Sequence, residues 1–407
     1  MTSQLTPELV ASLPKTDLHV HLDGSLRLPT LIELARERGV ELPAWDEAGL
    51  RREVFRDSYA NLGEYLHGFK YTCAVMRDAV ALERIAFELA EDNFAEGVRY
   101  FEVRFAPQLH LGDDFSMTDC LRAVTDGLRR AEAQFNARPE VVDGDEPPYR
   151  AGIIVSAMRM FTAGFSPWYA DYVKLHRFLP MDRVIRMAAV DLVHAAVAIR
   201  DQHNLPIVGF DLAGQENGYP SGAHDEAYRY AHRHFLKKTV HAGEAFGAES
   251  IFQAITELHA DRIGHGFHLF SADRITSETI EDPERYIARL AQYIADRRIT
   301  VEVCLTSNMQ TMPELEDLKD HAFAKMLDAR LSTTLCTDNR LISNTTVTNE
   351  ILLAIDAFDL SPRQLKQNLV YGFKRSFFPG SYREKRAYVR QVIDLYERVA
   401  RRHGLPA

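Results

Sequence analysis

Eight short apolar, β-branched runs recur along this 407-residue chain, and their spacing limits the folds open to it. They are DLHVHL (17–22), VRYFEVRF (98–105), AGIIVSA (151–157), PIVGFDL (206–212), KKTVHA (237–242), DRIGHG (261–266), ITVEVCL (299–305) and STTLCTD (332–338). Between them lie longer stretches with apolar residues at helical spacing, such as LERIAFELAEDNFAEG (82–97) and DRVIRMAAVDLVHAAVAIRDQH (182–203). Strands alternating with helices build a parallel sheet. Eight such units match a closed (β/α)8 barrel, a fold that runs to this length as one domain. The expectation is therefore an α/β chain, a single TIM barrel over residues 1–407. The runs are apolar nearly throughout, as suits strands covered by helices outside and filled by side chains inside.

Some segments exceed a minimal barrel. The stretch from Leu28 to about Val80 is longer than one crossover and is expected to add helices over the barrel mouth. PEVVDGDEPPYR (139–150) reads as a solvated loop, rich in Pro and acid. SADRITSETIEDPER (271–285) reads as a polar insertion after the sixth strand, and the tail after Leu360 as helices on the barrel exterior.

The formal net charge of -10, with no basic run, argues against electrostatic binding of nucleic acid or of an anionic membrane surface. The four cysteines Cys73, Cys120, Cys304 and Cys336 show no metal-ligand spacing and make no disulfide framework. The N-terminal stretch has no basic then apolar pattern of a signal peptide. No apolar run approaches the roughly 18 residues of a membrane span. These features fit a cytoplasmic enzyme acting on a small neutral or cationic molecule.

In barrel enzymes the active-site groups come from the C-terminal ends of strands and the loops after them. The first strand carries His19 and His21, two residues apart and so on one face. Two neutral imidazoles so placed can ligate Zn2+; the alternative is a pair of satisfied core histidines. His232 and His234 share the spacing but lie in a helical segment, where such residues do not face each other. The fifth strand ends in HAGE (241–244), offering His241 as a third nitrogen ligand and Glu244 as a proton shuttle. The sixth ends in RIGHG (262–266), where His265 could orient or deprotonate the attacking water. The eighth ends in CTDN (336–339), where Asp338 is either an oxygen ligand or a helix N-cap. Leu62, Tyr65, Leu66 and Phe69 fall on one helix face, as core or as an apolar lid.

Other signatures are absent from the sequence. There is no HxE…PCxxC of the cytidine-type zinc deaminases and no GxGxxG after the first strand. The fourth run, PIVGFDLAGQE, contains no Lys that carboxylation could turn into a bridge between two metals, so one Zn2+ per chain is expected.

The set PKTDLHVHLDGSL, DLAGQE, HAGE, RIGHG, EVCLTSN and TDN resembles the adenosine deaminase family, in the family's order from Pro14 to Asn339. The resemblance implies His19, His21, His241 and Asp338 as zinc ligands, Glu244 as proton donor to the purine ring, and His265 as the residue that orients the attacking water. It implies Asp23 at the ribose 5′-hydroxyl, with His21 beside the sugar, and the Gly214 backbone N–H at purine N3. It departs at Asn339, where most members carry a second Asp that hydrogen-bonds purine N7; an Asn amide can also donate there. The implied activity is hydrolytic deamination of adenosine, and of 2′-deoxyadenosine, to inosines and ammonia in purine salvage. Alternatives are a relative acting on aminofutalosine, adenine or N6-modified AMP, and a barrel that binds without catalysis.

Overall fold

The computed structural model describes residues 5–312 and 314–405, the other residues of the expected 1–407 unit lying outside the described set. Eight strands form in the expected order: β1 Lys15–His21, β2 Val98–Phe105, β3 Arg150–Met158, β4 Ile207–Ala213, β5 Lys237–Ala242, β6 Arg262–His265, β7 Thr300–Val303 and β8 Ser332–Leu335. Each pairs in parallel with the next. The ring closes just past β8. There the His21 N–H donates to the Asp338 carbonyl at 2.7 Å, and the Asp338 N–H donates to the His19 carbonyl at 2.8 Å. The closing contact therefore places Asp338 between the two histidines of β1.

Helices cover the outside. Ala79–Ala95 and Met181–His203 occupy the two periodic stretches, and Pro362–Arg375 and Tyr382–Arg402 form the tail. Leu18 and Val20 of β1 are fully buried on the outward face, while Asp17, His19 and His21 share the inward one. The stretch after Leu28 adds the helices Leu28–Arg38, Glu47–Glu53, Leu62–Leu66 and Phe69–Val75.

The structure corrects the sequence reading in places. β6, β7 and β8 are four residues each, shorter than their apolar runs, so Asp338 stands in the loop beyond β8. The segment 139–150 begins with a helical turn, Pro139–Val142, because Pro139 presets the first helical position. Leu62 to Phe69 falls in two short helices, Leu62–Leu66 and one starting at Phe69, joined by His67 and Gly68 in right-handed helical backbone with i→i+3 bonds; Leu62, Tyr65, Leu66 and Phe69 pack together against the core.

The barrel interior is charged. Arg262 Nε donates to Glu302 Oε1 at 2.6 Å, and its Nη2 donates to Glu102. Arg104 donates to Glu302 Oε2 at 2.8 Å, to Asp211 Oδ2 at 3.1 Å and to the Leu18 carbonyl at 2.7 Å. Thr239 Oγ1 adds a bond to Glu302 Oε1 at 3.0 Å, and Tyr100 one to Glu102 at 2.9 Å. All five charged side chains are buried. Three carboxylates share two guanidinium groups, and each carboxylate bonds at least one of them, which is the condition under which buried ions are tolerated. Arg262→Met should therefore leave Glu102 and Glu302 short of their partner and cost about 3–5 kcal/mol of stability, measured by guanidinium unfolding; a loss under about 1 kcal/mol would contradict this pairing.

Candidate active site

Strand ends deliver the expected side chains to one point. His19 and His21 come from β1, His241 from β5, His265 from β6, and Asp338 from the loop after β8. His21 Nε2 lies 3.2 Å from His241 Nε2 and 3.4 Å from Asp338 Oδ1. His19 Nε2 is also 3.4 Å from Asp338 Oδ1. The ring of His265 stands 5.0 Å from that of His19 and 5.3 Å from that of His241. Non-glycine residues seldom take positive φ, yet His265 (φ 63°) and Asp338 (φ 60°) both do. That left-handed backbone turns both side chains inward, a form of strain that clusters at functional sites. Gly264 leaves the room His19 needs, since a Cβ there would stand 3.0 Å from its Cε1.

The charged layer below fixes the histidines. His19 Nδ1 donates to Glu302 Oε2 at 2.8 Å, and His241 Nδ1 donates to Asp211 Oδ1 at 3.1 Å. A neutral imidazole holding its proton on Nδ1 presents a bare lone pair at Nε2. Burial keeps His21 and His265 well below the usual histidine range and lowers His241 as well. Burial and the Arg104 charge push His19 down too, but the attraction of the Asp338 and Glu302 carboxylates outweighs them and raises it. Asp338 goes far below the carboxylate range, because His19, 3.4 Å away, and the surrounding imidazoles overcome its burial. Ser307 Oγ donates to its other oxygen at 2.6 Å.

Acceptors thus converge with few donors between them, and His19 Nε2, fully buried, has no hydrogen-bond partner. A proton on His19 serves one pair at most. A cation in their midst serves all of them. Donor atoms of His19, His241, His265 and Asp338 lie within 4.8 Å of one another, a spacing that suits a metal ion. His21 lies outside that mutual set, yet its Nε2 is close to both His241 and Asp338.

Glu244 stands beside the cluster, its Oε1 3.9 Å from His265 Nε2. Burial raises its carboxyl to about 8, with the Asp338 and Glu216 charges adding to the effect. It also borders a cleft of about 500 Å³ lined by Leu62, Gln215, Asn217, His268 and Met312. Asp23 is buried, its Oδ1 without a partner and 4.0 Å from His21 Nδ1. Gly214 follows β4 with φ 97°. Asn339 donates from Nδ2 to the Tyr65 hydroxyl at 2.8 Å, and its Oδ1 has no partner. Tyr65 also meets Ser343 Oγ at 2.8 Å, and the ring of Phe69 stands 6.4 Å from that of His21. The segment 62–69 therefore lies over the site. His232 is exposed and away from the cluster.

Sequence reasoning assigned no role to Glu302, Asp211, Arg104, Ser307 or Glu216. Their signal was a single charge in an apolar strand, as in ITVEVCL and GFDL, or a polar residue inside a motif quoted whole, as in DLAGQE and EVCLTSN.

Fold and site together define a metal-dependent hydrolase built on a (β/α)8 barrel. Residues 14–395 match the family model described as adenosine deaminase. A protein of Mycobacteroides abscessus called adenosine deaminase is 35% identical, over 97% of this chain and 98% of its own length. The chain belongs to the adenosine deaminase family and is a hydrolytic deaminase. Among solved structures, the Arabidopsis N6-mAMP deaminase is 26% identical with a TM-score of 0.70, covering 95% of this chain and 99% of that one. A zinc-bound amidohydrolase from Burkholderia ambifaria shares the fold at 21% identity and a TM-score of 0.75, covering 99% of this chain and 95% of that one.

Carboxylates that orient metal-binding histidines typically contribute about 10–100-fold to metal affinity. Asp211→Asn should weaken metal binding by about that factor, read by competition against a chromophoric chelator; an unchanged affinity would remove Asp211 from this role.

Proposed function

We propose that this chain deaminates adenosine, and 2′-deoxyadenosine, at C6, using one Zn2+ held by His19, His21, His241 and Asp338. The observation that carries the reading is the convergence of His19 Nε2, His21 Nε2, His241 Nε2 and Asp338 Oδ1, with Glu244 alongside at the cleft. We keep His21 as ligand, and leave His265 free, because His21 Nε2 approaches two of the others while His265 Nε2 faces Glu244. Zn2+ when bound acts as a Lewis acid that lowers the pKa of water from 15.7 to about 7.

The chain's own residues supply the rest. Glu244 gives its proton to the ring nitrogen next to C6, which makes that carbon open to attack. His265 and Asp338 orient the attacking water and take its proton. The base returns that proton to the amino group, which leaves as ammonia, while the hydroxyl proton of the C6 adduct passes to Glu244, restoring the acid and leaving the 6-oxo purine. Asp23 faces the sugar's 5′-hydroxyl, and the Gly214 N–H faces N3. Asn339 uses one amide hydrogen on Tyr65 and keeps the other for N7. The segment 62–69 covers the base and excludes bulk water.

A free 5′-hydroxyl fits better than a phosphate. Asp23's ion-pair neighbours among the described residues are His21 and His110, both 4.0 Å away and both held neutral by burial. A phosphate there would meet a carboxyl without a cation. No helix among the described residues is long and apolar enough to cross a membrane.

Removing a positioned acid typically costs about 10²–10⁴-fold in rate. Glu244→Gln should lose that much of kcat while keeping its zinc, whereas His241→Ala should lose both. Ammonia release and metal content of the two variants are the test. Near-normal turnover in Glu244→Gln, or full zinc occupancy in His241→Ala, would sink the assignment. Leu66→Ala should raise KM for the nucleoside several-fold with little change in melting temperature, as measured by steady-state kinetics and calorimetry; the reverse pattern would make Leu66 a core residue.

A further inference from the structure

Glu216 follows β4 and is fully buried. Its carboxylate accepts from five donors on the next loop and the helix after it. Oε1 takes the Gly243 N–H at 3.1 Å and the Ser250 hydroxyl at 2.6 Å. Oε2 takes the N–H groups of Glu244 at 2.9 Å, Ala245 at 2.6 Å and Phe246 at 3.1 Å. Four successive backbone donors thus fold around one side chain. Gly243, at φ 75°, makes the turn that lets them point the same way. These residues leave β5 after His241 and carry Glu244 into the cleft. No hydrogen bond among the described residues holds the Glu244 side chain in place; its backbone is held by Glu216.

We infer that Glu216 is a positioning residue for Glu244: its carboxylate sets the path of residues 243–246 and so aims the Glu244 carboxyl at the ring nitrogen. This rests on the role proposed above for Glu244. A carboxylate is required because both oxygens must accept. Glutamine can accept on one side only and turns donors against donors on the other. The direction of Glu244 then relaxes, while His19, His21, His241 and Asp338 keep their own supports in the barrel.

The test is a double-mutant cycle on the zinc-loaded full chain with adenosine as substrate. Glu216→Gln should lower kcat by about 10²-fold, the scale of an ångström's misplacement, with KM and bound zinc little changed. In the Glu244→Gln background the same substitution should cost nothing further, since the residue it positions is already disabled. Equal losses of kcat in both backgrounds, or a loss carried by KM or zinc content, would overturn the inference. Should Glu216→Gln fail to fold, Ser250→Ala removes one donor and carries the same cycle with a smaller loss.

Amide hydrogen exchange separates this from failure of the Glu244 reading, because it needs no turnover. The amides of Glu244, Ala245 and Phe246 should be protected in the parent and exchange about tenfold faster in the variant, as local opening predicts. Equal exchange in the two proteins would show that the cradle does not depend on Glu216.

Discussion

Glu302 and Asp211 each hold the Nδ1–H of a histidine, and the site depends on those two bonds. They fix which ring nitrogen is bare and where it points. Neither carboxylate could stay buried and ionised alone. Arg104 touches both, and Arg262 ties Glu302 on to Glu102. The floor of the barrel is therefore a closed charge network, and the lone pairs of His19 and His241 stand on top of it. Metal chemistry at the mouth and stability of the core are in this sense one structure: a substitution that unbalances the network acts on both.

Around that floor, backbone geometry does the aiming. Asp338, at positive φ, closes the barrel through its main chain while its side chain enters the cluster. Asn339, next in sequence, is held by Tyr65 from the segment over the mouth. The segment over the mouth and the residue expected at the base are thereby joined by one hydrogen bond. Glu216 does for the loop after β5 what the β8–β1 contact does for Asp338.

Much of this was legible in the sequence. Eight apolar runs place all eight strands, and period two in DLHVH puts His19 and His21 on one face. The residues implied by HLDG, HAGE, RIGHG and TDN all fall near strand ends. What escaped has a common cause. A lone Glu in ITVEVCL or Asp in GFDL has no periodic signature, because its meaning is a partner far away in sequence: Glu302 meets His19 across 283 residues. Interior charge also looks like exposure to a reading based on hydropathy. The joint between the helices at His67 and Gly68 leaves no mark in the sequence, because helical backbone and apolar spacing both continue across it.

The central claim is that this cluster, with its metal, removes the 6-amino group of a purine nucleoside. It is tested most directly by ammonia release from adenosine, 2′-deoxyadenosine, adenine, AMP and aminofutalosine, each with and without a zinc chelator. The account predicts chelator-sensitive turnover of adenosine and 2′-deoxyadenosine above the other three. Turnover that survives removal of the metal, or a preference for AMP over adenosine, would contradict it.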